Sequence, residues 1–162
     1  MPDRPVLIGV PYDASSSFLR GAAEAPAHIR AALLTSASNP WSGRTVACDS
    51  PEVLEDAGDL AVPANGENRV VIEDAIQKLV AQDRRVIALG GDHSITYPIV
   101  RAVGKAFKGL TILQIDAHPD LYDEYEGDRF SHACPFARIL EEEHRAYPEA
   151  IARVLSELEK KA

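Results

Sequence analysis

The chain has 162 residues, of which 46% are apolar and 26% charged, a composition that supports one domain with a hydrophobic core and excludes a disordered chain. A formal net charge of -8 disfavours nucleic acid and anionic membranes as partners and is compatible with a cationic substrate. Cys48 and Cys134 are too few for a disulfide framework, no apolar run reaches the roughly 18 residues of a membrane span, and Met1-Pro2-Asp3-Arg4-Pro5 lacks a basic-then-apolar signal pattern, so a cytoplasmic location is expected.

The first element is Val6-Leu7-Ile8-Gly9-Val10, a short apolar run stopped by Pro11 and read as a buried strand. A serine-rich loop spans 13–21. Alanine-rich 22–37 reads as a helix with Ile29, Leu33 and Leu34 on one face, and 38–69 as irregular chain with a short strand near Val53-Leu54. Over 67–82 the positions Val71, Ile72, Ala75, Ile76, Leu79 and Val80 repeat as a helical stripe. Residues 85–89 form a second apolar strand, ended by Gly90-Gly91. The segment 95–107 reads as a helix with Pro98 in its first turn, where a missing N–H does no harm. Leu110-Thr111-Ile112-Leu113-Gln114-Ile115 reads as another strand, and Pro148 with Ile151, Val154, Leu155 and Leu158 as an amphipathic tail helix. Strands alternating with helices predict an α/β fold: a parallel sheet between two helical layers, with ligands at the carboxyl ends of its strands.

Two clusters occupy such ends. Gly90-Gly91-Asp92-His93-Ser94 follows one strand, and Asp116-Ala117-His118-Pro119-Asp120 follows the next in sequence. If the two strands are neighbours about 4.8 Å apart, His93 and Asp116 emerge side by side. In extended chain, residues at i, i+2 and i+4 share a face, so Asp116, His118 and Asp120 are expected to converge beside His93. Two imidazoles and two carboxylates without a thiolate suit a first-row divalent ion, and a bridging carboxylate can hold a pair of ions.

The pairing of Gly-Gly-Asp-His-Ser with Asp-Ala-His-Pro-Asp resembles the ureohydrolase family of arginases, agmatinases, guanidinobutyrases and formimidoylglutamases. The likeness extends to Gly9-Val10-Pro11-Tyr12-Asp13, Gly21, Pro26 and Ile29-Arg30, to Asp56-Ala57-Gly58-Asp59 as a turn after the second strand, and to Phe130-Ser131-His132-Ala133-Cys134-Pro135-Phe136. It implies an arginase-like three-layer fold, incomplete on its C-terminal side, over 1–145, followed by a tail over 146–162 that does not match. It also implies two Mn²⁺ ions, the first held by His93, Asp116 and Asp120 and the second by the bridging Asp116 and His118. His132 matches the family's proton-transfer or substrate-binding histidine. The implied reaction is hydrolysis of a guanidino group to urea and an amine, in which paired ions lower the pKa of a shared water and a histidine protonates the departing amine. A homo-oligomer is implied as well.

The family's remaining metal ligands lie in a later Asp-x-Asp strand end, and no Asp-x-Asp pair occurs in this chain. The isolated chain is therefore expected to bind metal weakly and not to catalyse. The acidic stretch 123–128 favours a substrate with a second positive charge and no carboxylate, and Ser131-His132-Ala133-Cys134-Pro135-Phe136 resembles agmatinase-like members more than arginases, so agmatine is expected rather than arginine or guanidinobutyrate. Other readings are a catalytically inert partner of an intact ureohydrolase, a Cys134–His132 hydrolase, and nucleotide binding at Gly90-Gly91; the last lacks both the dinucleotide-binding glycine pattern and a phosphate-loop lysine.

Overall fold

A computed structural model of the chain describes residues 4–37, 39–42 and 46–146; the tail helix expected over 146–162 lies, from 147 onward, outside the described residues. Three parallel strands, β1 (Val6–Val10), β2 (Glu55–Asp59) and β3 (Val86–Gly90), form a sheet in the order β2-β1-β3. Four α-helices accompany them: α1 (Ala25–Leu33), α2 (Asn68–Val80), α3 (Thr96–Ala106) and α4 (Pro135–Ala146). Short 3₁₀ turns, Ala22–Glu24 and His93–Ile95, lead into α1 and α3.

Every residue of β1 is buried, and because side chains alternate along a strand, both faces of the sheet must be covered. Ile8 and Val10 pack with Ile72, Ile76 and Val80 of α2 and with Ala102 of α3. Full burial of Ile72 and Ile76 stabilises the fold by roughly 1.5–3 kcal/mol each. Gly9 faces the other side, where a Cβ would fall 1.8 Å from Asp59 Oδ1 and 3.0 Å from Pro26 Cβ of α1. A side chain there would have to displace the Asp59 carboxylate and crowd Pro26. Glu73, buried on α2, takes Arg101 at 3.3 Å and also Lys105, fastening α2 to α3 with charge as well as apolar contact.

The parallel sheet, its strands at 6–10 and 85–89 and the helices around 67–82 and 95–107 match the sequence reading. Three elements differ. The first helix stops at Leu33 rather than residue 37, and Ile29 and Leu34 of its supposed inner face are exposed. The second strand is not at Val53-Leu54: it is Glu55–Asp59, the segment read as a turn. Its acids are held by cations, Arg30 on Asp56 and Asp59, Arg4 and Arg84 on Glu55, so polar side chains fringe a backbone paired to β1. Finally, 110–115 is not a strand, because it has no ladder partner among the described residues. Several of its apolar side chains stand in solvent, with Leu113 83% and Ile115 92% exposed, and it forms no ladder with β3.

Candidate metal centre

The carboxyl end of β3 is built by close packing. A Cβ on Gly91 would lie 1.7 Å from the Tyr12 carbonyl oxygen, so glycine is what lets the loop after β1 lie against this strand end. That packing accounts for Gly90-Gly91 without a nucleotide. Asp92 N–H donates to Tyr12 O (2.8 Å), and the buried Asp92 carboxylate accepts from Ser15 N–H (2.9 Å) and Ser94 N–H (2.9 Å). The second of these bonds caps the 3₁₀ turn that carries His93.

His93 is oriented at both nitrogens. Nδ1 lies 2.9 Å from Thr96 Oγ1, the kind of outer contact that fixes the tautomer of a metal-binding imidazole. Nε2 is buried and 3.1 Å from Asp120 Oδ2, an ion-pair distance, yet makes no aligned hydrogen bond. Ligand atoms of His93, Asp116 and Asp120 all lie within 4.8 Å of one another. Asp120 is the most enclosed, with its side chain 11% exposed, and its backbone is left-handed (φ 49°). Gln114 Nε2 reaches both the His118 carbonyl (2.9 Å) and Asp120 Oδ2 (3.3 Å). The first N–H of α4 beyond Pro135, that of Phe136, donates to Asp120 O (3.2 Å) and ties this wall to the helix. The His118 N–H on Oδ1 holds the Asp116 carboxyl below its usual range against burial, and His93 and His118 add to the effect.

Of the four expected ligands, the structure brings three together. His118 stands apart, its side chain 80% exposed and Nδ1 3.6 Å from Asp116 Oδ1. Asp116 Oδ1 accepts from His118 N–H (2.8 Å), which bends 116–118 instead of leaving it extended. The i, i+2, i+4 face assumed for Asp116, His118 and Asp120 therefore does not form. Nor do His93 and Asp116 come from adjacent strands; they approach across the end of the sheet without strand pairing between them.

His132 lines a cavity of about 600 Å³ together with His118, Asp120, Leu121, Tyr122 and Tyr125. Its Nδ1 is 2.8 Å from the Ser15 carbonyl oxygen and 3.2 Å from Ser131 Oγ; its Nε2 is 3.4 Å from Ser17 Oγ, and Tyr125 meets the ring edge-on. Ser15, Ser17, Thr96, Gln114 and Tyr125 are absent from the sequence-derived site, although the serine run at 15–17 was visible. Cys134 does not pair with His132: it is fully buried, its Sγ faces Asp128 O at 3.7 Å, and burial pushes its thiol up. The acidic stretch 123–128 contributes Tyr125 to the cavity rather than its acids. Asp123 takes Arg129 and Arg138 at 2.6 Å each, and the Arg138 bond, opposed by burial and aided by Arg129, holds its carboxyl below the usual range.

Known proteins share this arrangement of chain. Residues 3–154 match the Arginase family. The sequence is 43% identical over 145 residues to arginase 2, chloroplastic/mitochondrial, of Arabidopsis thaliana, covering 83% of this chain and 42% of that protein. It is 40% identical over 143 residues to N(1)-aminopropylagmatine ureohydrolase of Thermus thermophilus, covering 86% and 47%. The solved arginase of Medicago truncatula superposes with a TM-score of 0.79 at 38% identity, over 86% of this chain and 47% of that one. The chain thus spans less than half the length of these relatives. With the two sequence motifs, the parallel sheet and these matches in agreement, the chain belongs to the arginase family of ureohydrolases.

Proposed function

We propose that this chain carries one wall of a two-metal site that hydrolyses the guanidino group of a small cationic amine. The observation that carries the reading is the buried Nε2 of His93 gathered with the Asp116 and Asp120 carboxylates within 4.8 Å. An imidazole nitrogen kept from water without an aligned hydrogen bond, facing two carboxylates, fits a divalent cation, and the absence of thiolate from the set favours a hard ion such as Mn²⁺. His93, Asp116 and Asp120 would hold one ion, and Asp116 with His118 would face a second. Bound ions would supply Lewis-acid charge and a water of lowered pKa.

The chain's own residues bind substrate and move a proton. Water oxygen adds to the guanidino carbon, the carbon–nitrogen bond to the alkyl chain breaks, and urea and an amine result. His132, with a proton fixed on Nδ1 by the Ser15 carbonyl, can take a second on Nε2 and pass it to the departing nitrogen. Leu121, Tyr122 and Tyr125 suit an aliphatic chain, and the cavity lining includes no lysine or arginine among the described residues. A substrate without a carboxylate, agmatine, fits that lining. Arginine is a second reading, favoured by the 43% identity to a plant arginase.

Titrating the purified chain with Mn²⁺, with the free ion followed by electron paramagnetic resonance, tests the site. Saturable uptake is expected, weakened about 10-fold or more by Asp120→Asn. Uptake indifferent to that change would remove the proposed ligand set. Urea release from agmatine, arginine and guanidinobutyrate by a chain that completes the metal site then ranks the substrates, and arginine preference would reject agmatine.

A further inference from the structure

The loop after β1 does more than cover the strand end. Gly91 lets it approach, Asp92 N–H holds Tyr12 O, and Asp92 Oδ2 accepts from Ser15 N–H at 2.9 Å and from Ser16 Oγ at 3.5 Å. The opposite side of the same Ser15 peptide segment presents its carbonyl to His132 Nδ1 at 2.8 Å. A carbonyl oxygen only accepts, so Nδ1 must carry the proton. Ser131 Oγ, 3.2 Å away, is then a second acceptor, and Ser17 Oγ, 3.4 Å from Nε2, is a donor to the ring's lone pair. Tyr125 closes the ring's edge.

We infer that Asp92 is a positioning residue for His132: acting through Ser15, it locks the imidazole in the Nδ1–H tautomer and leaves Nε2 as the unprotonated nitrogen, facing Ser17 Oγ. The residue next to the proposed metal ligand His93 thereby sets the proton state of the cavity histidine, and one strand end governs both halves of the chemistry. The coupling passes through a short covalent segment clamped at both faces, with no conformational change required. A catalytic use for His132 rests on the proposed function; the tether itself does not.

The test is nitrogen-15 NMR of the histidine-labelled chain at mildly alkaline pH, where an unperturbed imidazole is neutral and the two ring nitrogens report the tautomer directly. In the unaltered chain His132 is expected to be dominated by the Nδ1–H form. Asp92→Asn keeps the size of the side chain but turns either an amide donor or a weaker acceptor toward Ser15, and the Nδ1–H form is expected to fall to a minority. Gly91→Ala displaces the same loop by sterics alone and gives an independent route to that loss if Asp92→Asn does not fold. Finding the Nε2–H form in the unaltered chain, or an unchanged His132 tautomer in either folded variant, overturns the proposal. Because the readout is independent of urea release, a chain with the tether intact and no guanidino hydrolysis would reject the proposed function alone.

Discussion

The two walls of the candidate site are built in opposite ways. His93 sits on a strand end sealed by the β1 loop, capped by Asp92 and oriented by Thr96. Asp116 and Asp120 follow a segment, 110–115, that has no ladder partner among the described residues and whose apolar side chains are largely in water. What fixes the second wall is polar: Phe136 N–H on Asp120 O, Gln114 on Asp120 Oδ2, and the Asp123 ion pairs to Arg129 and Arg138. One wall draws its stability from the core and the other from polar ties, those of Phe136 and Arg138 reaching α4. Preorganisation of a metal site therefore need not be uniform, and each wall should fail under a different challenge.

The largest expected effect is on the core that supports the first wall. Ile76 is fully buried against β1 and α3, and Ile76→Ala removes packed volume where nothing can readily collapse. A loss of about 2–5 kcal/mol in urea-induced unfolding is expected. A loss below about 1 kcal/mol would mean that the sheet and α2 are not packed as described.

Which parts of this were legible beforehand follows from what each depends on. β1 and β3 were legible because runs such as Val6-Leu7-Ile8 carry their burial in their own composition. β2 was not, since Glu-Asp-Ala-Gly-Asp has the residues strands avoid, and its pairing rests on Arg4, Arg30 and Arg84 arriving from elsewhere. Apolar 110–115 has strand composition, but a strand needs a partner, and composition names none. The gathering of His93, Asp116 and Asp120 was legible in their motifs, although only His93 follows a strand. The outward turn of His118 could not, because it follows from one side-chain bond to its own backbone N–H. Ser15 escaped notice for a related reason: it acts through a carbonyl oxygen that every residue has.

A smaller effect separates the walls by pH. Asp123 is held below its ordinary range chiefly by the Arg138 hydrogen bond, so folding favours its ionised form. The stability it contributes is present above the unfolded aspartate value of about 3.9 and is lost as pH falls through the lower folded value. Unfolding curves across that acid range are expected to show Asp123→Asn abolishing part of the pH dependence and lowering stability mainly at neutral pH. An acid limb identical to that of the unaltered chain would show that the second wall does not lean on this pair.

The smallest expected effect is the most informative about the exposed segment. Ile115 immediately precedes Asp116 and is 92% exposed, so in this chain Ile115→Ala removes a side chain already in water and should shift stability by no more than about 0.5 kcal/mol in either direction. The contrast with Ile76→Ala is then at least severalfold for the same chemical deletion, and burial alone accounts for it. A loss above about 1 kcal/mol at Ile115 in urea unfolding would require the side chain to be covered in solution. The second wall would then draw on apolar burial as the first does, and the division between a core-supported wall and a polar-tethered one would fall.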